Sequence, residues 1–234
     1  MKNNRIELKK TSSTSTYIKE HLNDIQELTF VYAEEQTDGH GRFTHTWESE
    51  NGKNILTSFL IKDREITSRF CHLSIFLGTV IKETLEQFGI TNIYIKWPND
   101  IIVNNKKICG ILLEGKLPEY IIVGIGLNVN QINHNLDTAI SMINILNTEI
   151  PLYIIKKTLE KNIKLAISKF KQDKYDYISI FNKCDYLIDK KITFVYQNKT
   201  LSGIAKGIDA SGNLLVKYNG QILKLSSGEI SLIR

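Results

Sequence analysis

The chain has 234 residues, of which 42% are hydrophobic, 24% are charged and only 3 are proline, and its net charge is +5. This composition predicts a compact folded protein and excludes long disordered segments. The lysines are scattered along the chain and form no stripe, which favours an anionic ligand or an acidic partner over a nucleic-acid surface.

Local sequence argues against two other classes of protein. No apolar run approaches the roughly 20 residues that cross a bilayer, and the polar start from Met1 to Lys10 lacks the apolar stretch of a signal peptide. We therefore expect a cytoplasmic protein with no membrane partner. The three cysteines form no C-x-x-C pair, so neither a zinc ribbon nor a redox motif is indicated.

The first part of the chain predicts two helices and two strands. Apolar residues at helical spacing predict a helix over residues 15–28, and the serines and threonines before it suit N-caps. Strands are predicted over 30–34 and 54–61, and the polar, glycine-bearing loop 35–53 between them is a candidate binding loop. A long amphipathic helix is predicted over 73–88.

The middle of the chain predicts a β-sheet. Four segments rich in Ile, Val and Leu are expected to be strands, at 94–98, 101–103, 107–114 and 120–128. Asn104-Asn105 suits a hairpin turn because Asn tolerates positive φ. We expect a mainly antiparallel or mixed sheet.

The C-terminal part predicts helices followed by a separate β unit. Pro151 suits the first position of a long helix, and a shorter helix is predicted over 175–182. Short apolar runs then alternate with five glycines, at 203, 207, 212, 220 and 228, which indicate turns. We expect a small β-barrel there, so the predicted domains are 1–184 and 185–234.

The most distinctive motif is Lys96-Trp97-Pro98-Asn99-Asp100, followed across the predicted turn by Lys107 in an apolar strand and by Gly110. A lysine has no low-cost place in such a strand unless an anionic group meets it. We therefore interpret Lys107 as facing a site, with Asp100 nearby across the hairpin. A surface hairpin with solvated lysines fits the same spacing.

Two glycine-bearing segments could also meet a ligand. In Gly39-His40-Gly41-Arg42, the glycines allow close backbone approach and Arg42 offers donors for phosphate or carboxylate, although a flexible turn has the same pattern. The segment from Val123 to Asn130 lacks the third glycine and the following helix of a dinucleotide fingerprint, so a Rossmann site is rejected. Its glycines, Gly124 among them, let a ligand or a strand pass close.

In this order the motifs resemble the biotin–protein ligase family, also called biotin–[acetyl-CoA carboxylase] ligase. The resemblance extends from Ser13 to Leu232. Its specific part is the Lys-Trp-Pro-Asn-Asp block with Lys107 and Gly110. The supporting matches are Ser13-Thr14-Ser15, Gln36, Gly39-His40-Gly41-Arg42, Trp47, Gly124-Ile125-Gly126-Leu127-Asn128 and Gly228-Glu229-Ile230-Ser231.

The resemblance implies an α+β fold, with the class II synthetase-like catalytic domain shared by biotinyl and lipoyl ligases and a small C-terminal SH3-like β-barrel. It implies ATP-dependent, Mg²⁺-assisted activation of biotin to biotinyl-AMP and transfer of biotin to a lysine of the biotin carboxyl carrier protein of an acyl-CoA carboxylase. Some members carry an N-terminal winged helix that binds DNA. Because the matched motifs begin at Ser13, we expect a ligase that does not bind DNA. An edge strand suits either a homodimer or docking of the acceptor.

The resemblance also implies residue roles. Lys107 and Arg42 are expected to stabilise the meeting of biotin's carboxylate with the α-phosphate of ATP, while Asp100 orients Lys107 or helps to hold Mg²⁺. The residues expected to contact biotin are Ser13, Thr14, Ser15, Gln36, Gly39, His40, Gly41, Arg42, Lys107, Gly110 and Gly124. The residues expected to contact the nucleotide are Arg42, Trp47, Asn99, Lys107 and Asn128, with the adenine near 139–142 and Lys224 on the phosphates.

The loop from Gln36 to Trp47 is expected to close over biotinyl-AMP as a lid that excludes water. It departs from the usual Gly-Arg-Gly-Arg or Gly-Lys-Gly-Arg pattern with a basic end, because His40 and His45 replace permanent cations. Histidine is only partly charged near neutral pH. Retention of biotinyl-AMP is therefore predicted to weaken more steeply with rising pH than in relatives with arginine.

Two other functions fit parts of the sequence. A lipoate ligase or octanoyl transferase shares the implied fold, but it needs a longer apolar tunnel and does not normally carry the Lys-Trp-Pro-Asn-Asp block. A nucleic-acid-binding module is suggested by the basic balance and the barrel-like tail. It predicts salt-sensitive binding to DNA or RNA and no adenylation.

Overall fold

The computed structural model describes residues 5–42, 45–197, 199–226 and 232–233, which form two β-sheets with flanking helices. The elements around the larger sheet are, in chain order, β1 (Arg5–Thr11), α1 (Thr14–Glu20), β2 (Phe30–Gln36), β3 (Ile55–Ile61), α2 (Arg64–Thr67), α3 (Phe70–Glu86), β4 (Ile93–Lys96), β5 (Asp100–Val103), β6 (Lys106–Lys116), β7 (Tyr120–Leu127), α4 (Met142–Leu146), α5 (Leu152–Lys171) and α6 (Tyr177–Lys183). The elements of the smaller sheet are β8 (Lys191–Tyr196), β9 (Lys199–Ile208), β10 (Leu214–Tyr218), β11 (Gln221–Leu225) and β12 (Leu232–Ile233).

The larger sheet has seven strands in the order β1-β2-β3-β7-β6-β5-β4. β1 and β2 run parallel, whereas all other neighbours are antiparallel, which confirms a mixed sheet. All seven residues of the inner strand β3 are buried. The edge strand β1 was not predicted from the sequence, because its residues include Lys9 and Lys10, which are exposed, as is usual at a sheet edge.

Helices cover both faces of this sheet. On one face α1 packs Ile18 against Val31, Leu60 and Ile122, and on the other face α3 and α5 contribute to the main core. The predicted first helix is too long, since α1 ends at Glu20. The His21 amide turns back to Ile18 O at 3.2 Å, so the later apolar residues pack against the sheet from a non-helical segment.

The other predicted elements are confirmed, with small shifts at their ends. Asn104 and Asn105 both have positive φ, 51° and 60°, as the predicted hairpin turn requires. Pro151 occupies the N-cap position of α5 and not the first helical position. The helices α2 and α4, of four and five residues, were not predicted because so few residues carry no clear periodicity.

The smaller sheet is antiparallel, in the order β11-β10-β9-β8-β12, which confirms the all-strand tail. Its inward side chains, such as Phe194 and Val216, belong to the same core cluster as Trp97. Closure of this sheet into a barrel and a domain boundary between residues 184 and 185 stay predictions. Gly228 lies outside the described residues. No described helix combines the length and the apolar character needed to cross a membrane.

Candidate active site

A cavity of about 650 Å³ opens beside the N-terminus of α1 and the middle of β3, β6 and β7. It is lined by most of the residues predicted to have a catalytic, biotin-binding or nucleotide-binding role: Ser13, Thr14, Ser15, Gln36, His40, Gly41, Arg42, Trp47, Asn99, Asp100, Lys107, Gly110, Gly124 and Asn128. Gly39 instead lines a neighbouring cavity of about 570 Å³. The fold therefore brings distant segments together, while the role of each residue stays a prediction.

One end of the cavity is a cluster of hydroxyl and amide groups. Ser13 caps α1, where its side chain accepts a hydrogen bond from the Ser15 amide, so the helix starts at the cavity wall. Thr14 donates from its amide and its hydroxyl to Gln36 Oε1, at 2.8 and 3.0 Å. Ser58 Oγ lies 2.7 Å from Thr14 Oγ1 and 2.9 Å from Ser15 Oγ. These groups can donate to or accept from a polar ligand.

The other end of the cavity is positively charged. Lys107 Nζ lies 2.6 Å from Asp100 Oδ1, as the interpretation of the hairpin predicted. It also lies 5.4 Å from the centre of the Trp47 ring. Burial lowers the pKa of the Arg42 guanidinium, and the nearby Asp100 carboxylate opposes this shift. Both cations are therefore fixed near one carboxylate at the wall of the cavity.

Glycines form part of the cavity wall where side chains would collide. A Cβ on Gly126 would lie 2.4 Å from the Trp47 ring, and a Cβ on Gly110 would lie 3.0 Å from the same ring and 2.9 Å from Lys107 Nζ. A Cβ on Gly124 would meet Ser15 Oγ at 3.2 Å. Gly126 therefore needs to be glycine while the Trp47 ring occupies this position, whereas a Cβ at Gly110 or Gly124 would require smaller shifts of the neighbouring side chains.

Two predicted nucleotide contacts already use their side-chain amides within the protein. Asn99 Nδ2 donates to Ile111 O at 2.8 Å, and Asn128 Nδ2 donates to Ile140 O at 3.1 Å. Of the predicted adenine segment 139–142, Ala139 lines the cavity. Lys224 does not line it and pairs with Asp209 at 3.2 Å.

Described residues of the loop from Gln36 to Trp47 form part of the cavity wall. The base of the loop is closed by hydrogen bonds from Gly41 N to His45 O, at 2.7 Å, and from Trp47 N to Gly39 O, at 2.8 Å. Both His40 and His45 line the cavity. Phe43 and Thr44 lie outside the described residues, as does the family-like segment from Gly228 to Ser231.

The structure adds two residues that the sequence interpretation missed, Ser58 and Tyr186, and it gives Gly126 a specific neighbour. Ser58 joins the hydroxyl cluster, Gly126 supports Trp47 and Tyr186, from the segment before β8, lines the cavity near Asn105. A signal for Ser58 was present, because Thr57-Ser58 is a polar pair inside an otherwise apolar strand. No such signal marked Tyr186, whose position depends on how the C-terminal segment packs.

A metal site made of protein ligands alone is not found in the part of the chain that the structure describes, which contains no group of three or more His, Cys, Asp or Glu side chains placed to hold an ion. The carboxylate nearest to the two cations is Asp100. Mg²⁺ usually keeps phosphate oxygens and waters as ligands and uses only one or two protein carboxylates. The donor set is therefore compatible with Mg²⁺ that arrives with a nucleotide, and Asp100 as a ligand stays a prediction.

Comparison with known proteins gives two matches to family models. Residues 7–128 match the biotin/lipoate A/B protein ligase family, and residues 187–233 match the biotin protein ligase C terminal domain. The first match covers more than half of the chain. Together the two matches extend over both sheets.

Individual proteins resemble the chain over most of its length. The bifunctional ligase/repressor BirA of Salmonella typhimurium is 29% identical over 94% of this chain and 71% of its own length. The biotin–[acetyl-CoA-carboxylase] ligase of Mycobacterium tuberculosis is 23% identical, over 87% of this chain and 79% of its own. A structure of the biotin protein ligase from Aquifex aeolicus in complex with biotin and ATP superposes with a TM-score of 0.89, at 28% identity and full coverage of both chains.

Proposed function

The chain belongs to the biotin/lipoate A/B protein ligase family, and we propose that it activates biotin with ATP to biotinyl-AMP and transfers the biotinyl group to a lysine of a carrier protein. The observation that carries this proposal is the pairing of Lys107 with Asp100 at 2.6 Å, in the same cavity as a cluster of hydroxyl groups. One ligand that spans both ends must be polar at one end and anionic at the other, as biotin is.

The hydroxyl end suits the ureido ring of biotin. That ring offers two N–H donors and a carbonyl acceptor, and the hydroxyls of Thr14, Ser15 and Ser58 can both donate and accept. Thr14 fixes the oxygen of the Gln36 amide, which leaves the amide nitrogen of Gln36 to meet an acceptor. We assign ureido recognition to these four side chains.

The cationic end suits the first chemical step. A carboxylate oxygen of biotin attacks the α-phosphorus of ATP, a P–O bond forms and pyrophosphate leaves. Two anions must meet in this step, so fixed positive charge lowers the barrier more than covalent participation would. Lys107 and Arg42 supply that charge. Asp100 orients the Lys107 ammonium through their ion pair. Asp100 would also be the carboxylate available to hold Mg²⁺, which would supply further neutralisation of phosphate charge.

The second step needs protection of the mixed anhydride. The amine of an acceptor lysine attacks the biotinyl carbonyl carbon, an amide bond forms and AMP leaves. Water would compete with the lysine, so the loop from Gln36 to Trp47 is assigned as the cover of the intermediate. Trp47 contributes by packing its indole against Gly110 and Gly126.

The names of the relatives support one class of acceptor. The Mycobacterium tuberculosis protein is named as a ligase for acetyl-CoA carboxylase, so a biotin carboxyl carrier domain of an acyl-CoA carboxylase is the proposed partner. A homodimer, the absence of DNA binding and a cytoplasmic location stay predictions.

Replacement of Lys107 by Ala tests the centre of this mechanism. We expect ATP–pyrophosphate exchange with biotin to fall by at least about a hundredfold, because a fixed charge in a water-poor site is lost at the point where negative charge develops. The matched control is Lys106→Ala, since Lys106 is the exposed neighbour on the same strand, and its exchange rate should stay near that of the wild type.

The same assay distinguishes the lipoyl alternative. Biotin should support exchange and lipoate should not, and a carrier domain should become labelled in the presence of biotin and ATP. Exchange with lipoate alone, or a Lys107→Ala variant that adenylates biotin at the wild-type rate, would contradict the proposal.

A further inference from the structure

His40 meets a carboxylate at the edge of the cavity. His40 Nε2 lies 3.4 Å from Glu114 Oε2, and Glu114 lies on β6, four positions beyond Gly110. Glu114 Oε2 is buried and makes no hydrogen bond to another described residue. The other carboxylate oxygen, Oε1, pairs with Lys19 Nζ of α1 at 2.7 Å. Lys19 therefore fixes Glu114 so that Oε2 faces His40.

The second nitrogen of His40 restricts the protonation state of the ring. His40 Nδ1 lies 3.1 Å from the carbonyl oxygen of Asp38, which can only accept a hydrogen bond, so Nδ1 must carry a proton. In the neutral ring Nε2 would then be a bare acceptor that faces a carboxylate oxygen. Two acceptors at this distance repel each other. In the imidazolium, both nitrogens donate and both contacts are attractive.

The charges around His40 act in opposite directions. Glu114 on β6 favours the imidazolium, whereas the Lys19 ammonium, bound to the same carboxylate, opposes it. On its own loop, His40 is held by the Asp38 carbonyl oxygen and by the bridge to Thr46. Glu114 is the anion in direct contact with the ring.

We propose that Glu114 is a positioning residue that, through the imidazolium of His40, fixes the Gly39–Arg42 segment and so keeps Arg42 in the cavity. This inference rests on the proposed function, because its consequence is retention of biotinyl-AMP. Loss of the proton from His40 replaces an attractive contact with a repulsive one and loosens the segment. The pH dependence of biotinyl-AMP retention therefore requires Glu114 as well as His40.

The test is the dissociation rate of a non-hydrolysable biotinyl-AMP analogue from the full chain, measured near pH 6 and near pH 8.5. For the wild type we expect the rate to rise about two- to fivefold at the higher pH, the range expected when a partly exposed ion pair is lost. His40→Arg restores a permanent cation and should give slow dissociation at both pH values. Glu114→Gln should give fast dissociation at both.

Glu119→Gln is the matched control, since Glu119 is an exposed carboxylate that pairs with Lys116 of β6 at 2.7 Å and does not line the cavity. It should keep the pH dependence of the wild type. The double variant Glu114→Gln/His40→Arg should lose the slow dissociation of His40→Arg, because the added cation no longer has its carboxylate. If Glu114→Gln does not melt cooperatively, His40→Gln takes its place, with the same fast and flat profile expected.

The possible failures are distinguishable. No binding of the analogue to the wild type would contradict the proposed function itself. Binding with a flat wild-type profile, or a Glu114→Gln variant that keeps the wild-type pH dependence, would overturn the role of Glu114 and leave the ligase function untouched.

Discussion

At the scale of single residues, the hydroxyl cluster is the feature that was hardest to predict from the sequence. Ser58 and Thr57 are fully enclosed in β3, a strand in which every residue is buried. Ser58 connects the hydroxyls of Thr14 and Ser15. A buried hydroxyl group destabilises the folded chain unless it has a hydrogen-bond partner. A cluster of hydroxyl groups that lines an open cavity is therefore typical of a ligand site.

Replacement of Ser58 by Ala should weaken biotin binding. The variant removes the hydroxyl between Thr14 and Ser15 and leaves the buried Ser15 hydroxyl without its contact to Ser58, at a cost of about 1–3 kcal/mol. We expect the Kd for biotin to rise about 5- to 150-fold in isothermal titration.

Thr84→Val provides the control for Ser58→Ala. Thr84 is also buried, but its hydroxyl bonds to Val80 O within α3 and does not line the cavity. This variant should lose stability and keep the biotin affinity of the wild type. An unchanged Kd in Ser58→Ala would remove Ser58 from the biotin site.

At the scale of elements, a β-bulge decides where Lys107 points. The β5–β6 register pairs Asp100 with Gly110, but it shifts by one residue between Ile101 and Ile102, so that Ile102 pairs with Lys107. A one-residue shift moves a side chain to the other face of a strand. Lys107 therefore lies beside Gly110, on the cavity side, although strict alternation would put these two residues on opposite faces.

The connection from α6 to β8 gives a second element-scale consequence. Asp185 is 4% exposed and lies where this connection pairs with Ile95 of β4. Its Oδ1 accepts a hydrogen bond from the Leu187 amide at 2.8 Å, while Oδ2 is buried without a described hydrogen-bond partner. Burial raises the pKa of Asp185 to about 6.

This raised pKa predicts a pH dependence of stability. Below about pH 4 the carboxyl is protonated in both the folded and the unfolded chain and imposes no penalty. Between about pH 4 and pH 6 the carboxyl is ionised in the unfolded chain but keeps its proton in the folded chain, so the free energy of unfolding falls over this range and stays lower above it. Asp185→Asn should match the wild type near pH 4 and exceed its stability near pH 8 by up to about 3 kcal/mol. Urea denaturation at both pH values measures the difference.

Asp189→Asn is the control for Asp185→Asn. The Asp189 side chain is largely exposed and pairs with Lys206, so its removal should leave the change in stability between pH 4 and pH 8 close to that of the wild type. Equal pH dependence in Asp185→Asn and the wild type would show that burial does not penalise this carboxylate.

At the scale of the whole molecule, the two sheets share one core. Trp97, from the Lys-Trp-Pro-Asn-Asp block, donates its Nε1–H to Gly212 O in the smaller sheet unit at 3.1 Å. Gly212 has φ 78°, which favours glycine, and it approaches Ile75 of α3. The smaller sheet unit therefore helps to fix the turn between β4 and β5, and Asp100 follows that turn.

The two tryptophans offer a matched test of this contact. Trp97→Phe leaves the Gly212 carbonyl without its donor, at a cost of about 1–3 kcal/mol, and should lower Tm by several degrees, given roughly 2–4 °C per kcal/mol at this size. Trp47→Phe should change Tm little, because the buried Nε1 of Trp47 has no hydrogen-bond partner among the described residues. A small shift for Trp97→Phe in differential scanning calorimetry would contradict the structural role of the contact.

The sequence by itself determined the long helices, most strands, the Asn104-Asn105 turn and the family, because hydrophobic periodicity, turn chemistry and the Lys-Trp-Pro-Asn-Asp block are local properties. It also identified Lys107 as a lysine that needs an anionic neighbour, and Asp100 as that neighbour. The edge strand β1, the early end of α1 and the positions of Ser58, Tyr186 and Glu114 were decided only by the tertiary structure. Each depends on contacts between segments far apart in the chain, or on the bulge that reverses the alternation of β6, and local propensity carries no information about either.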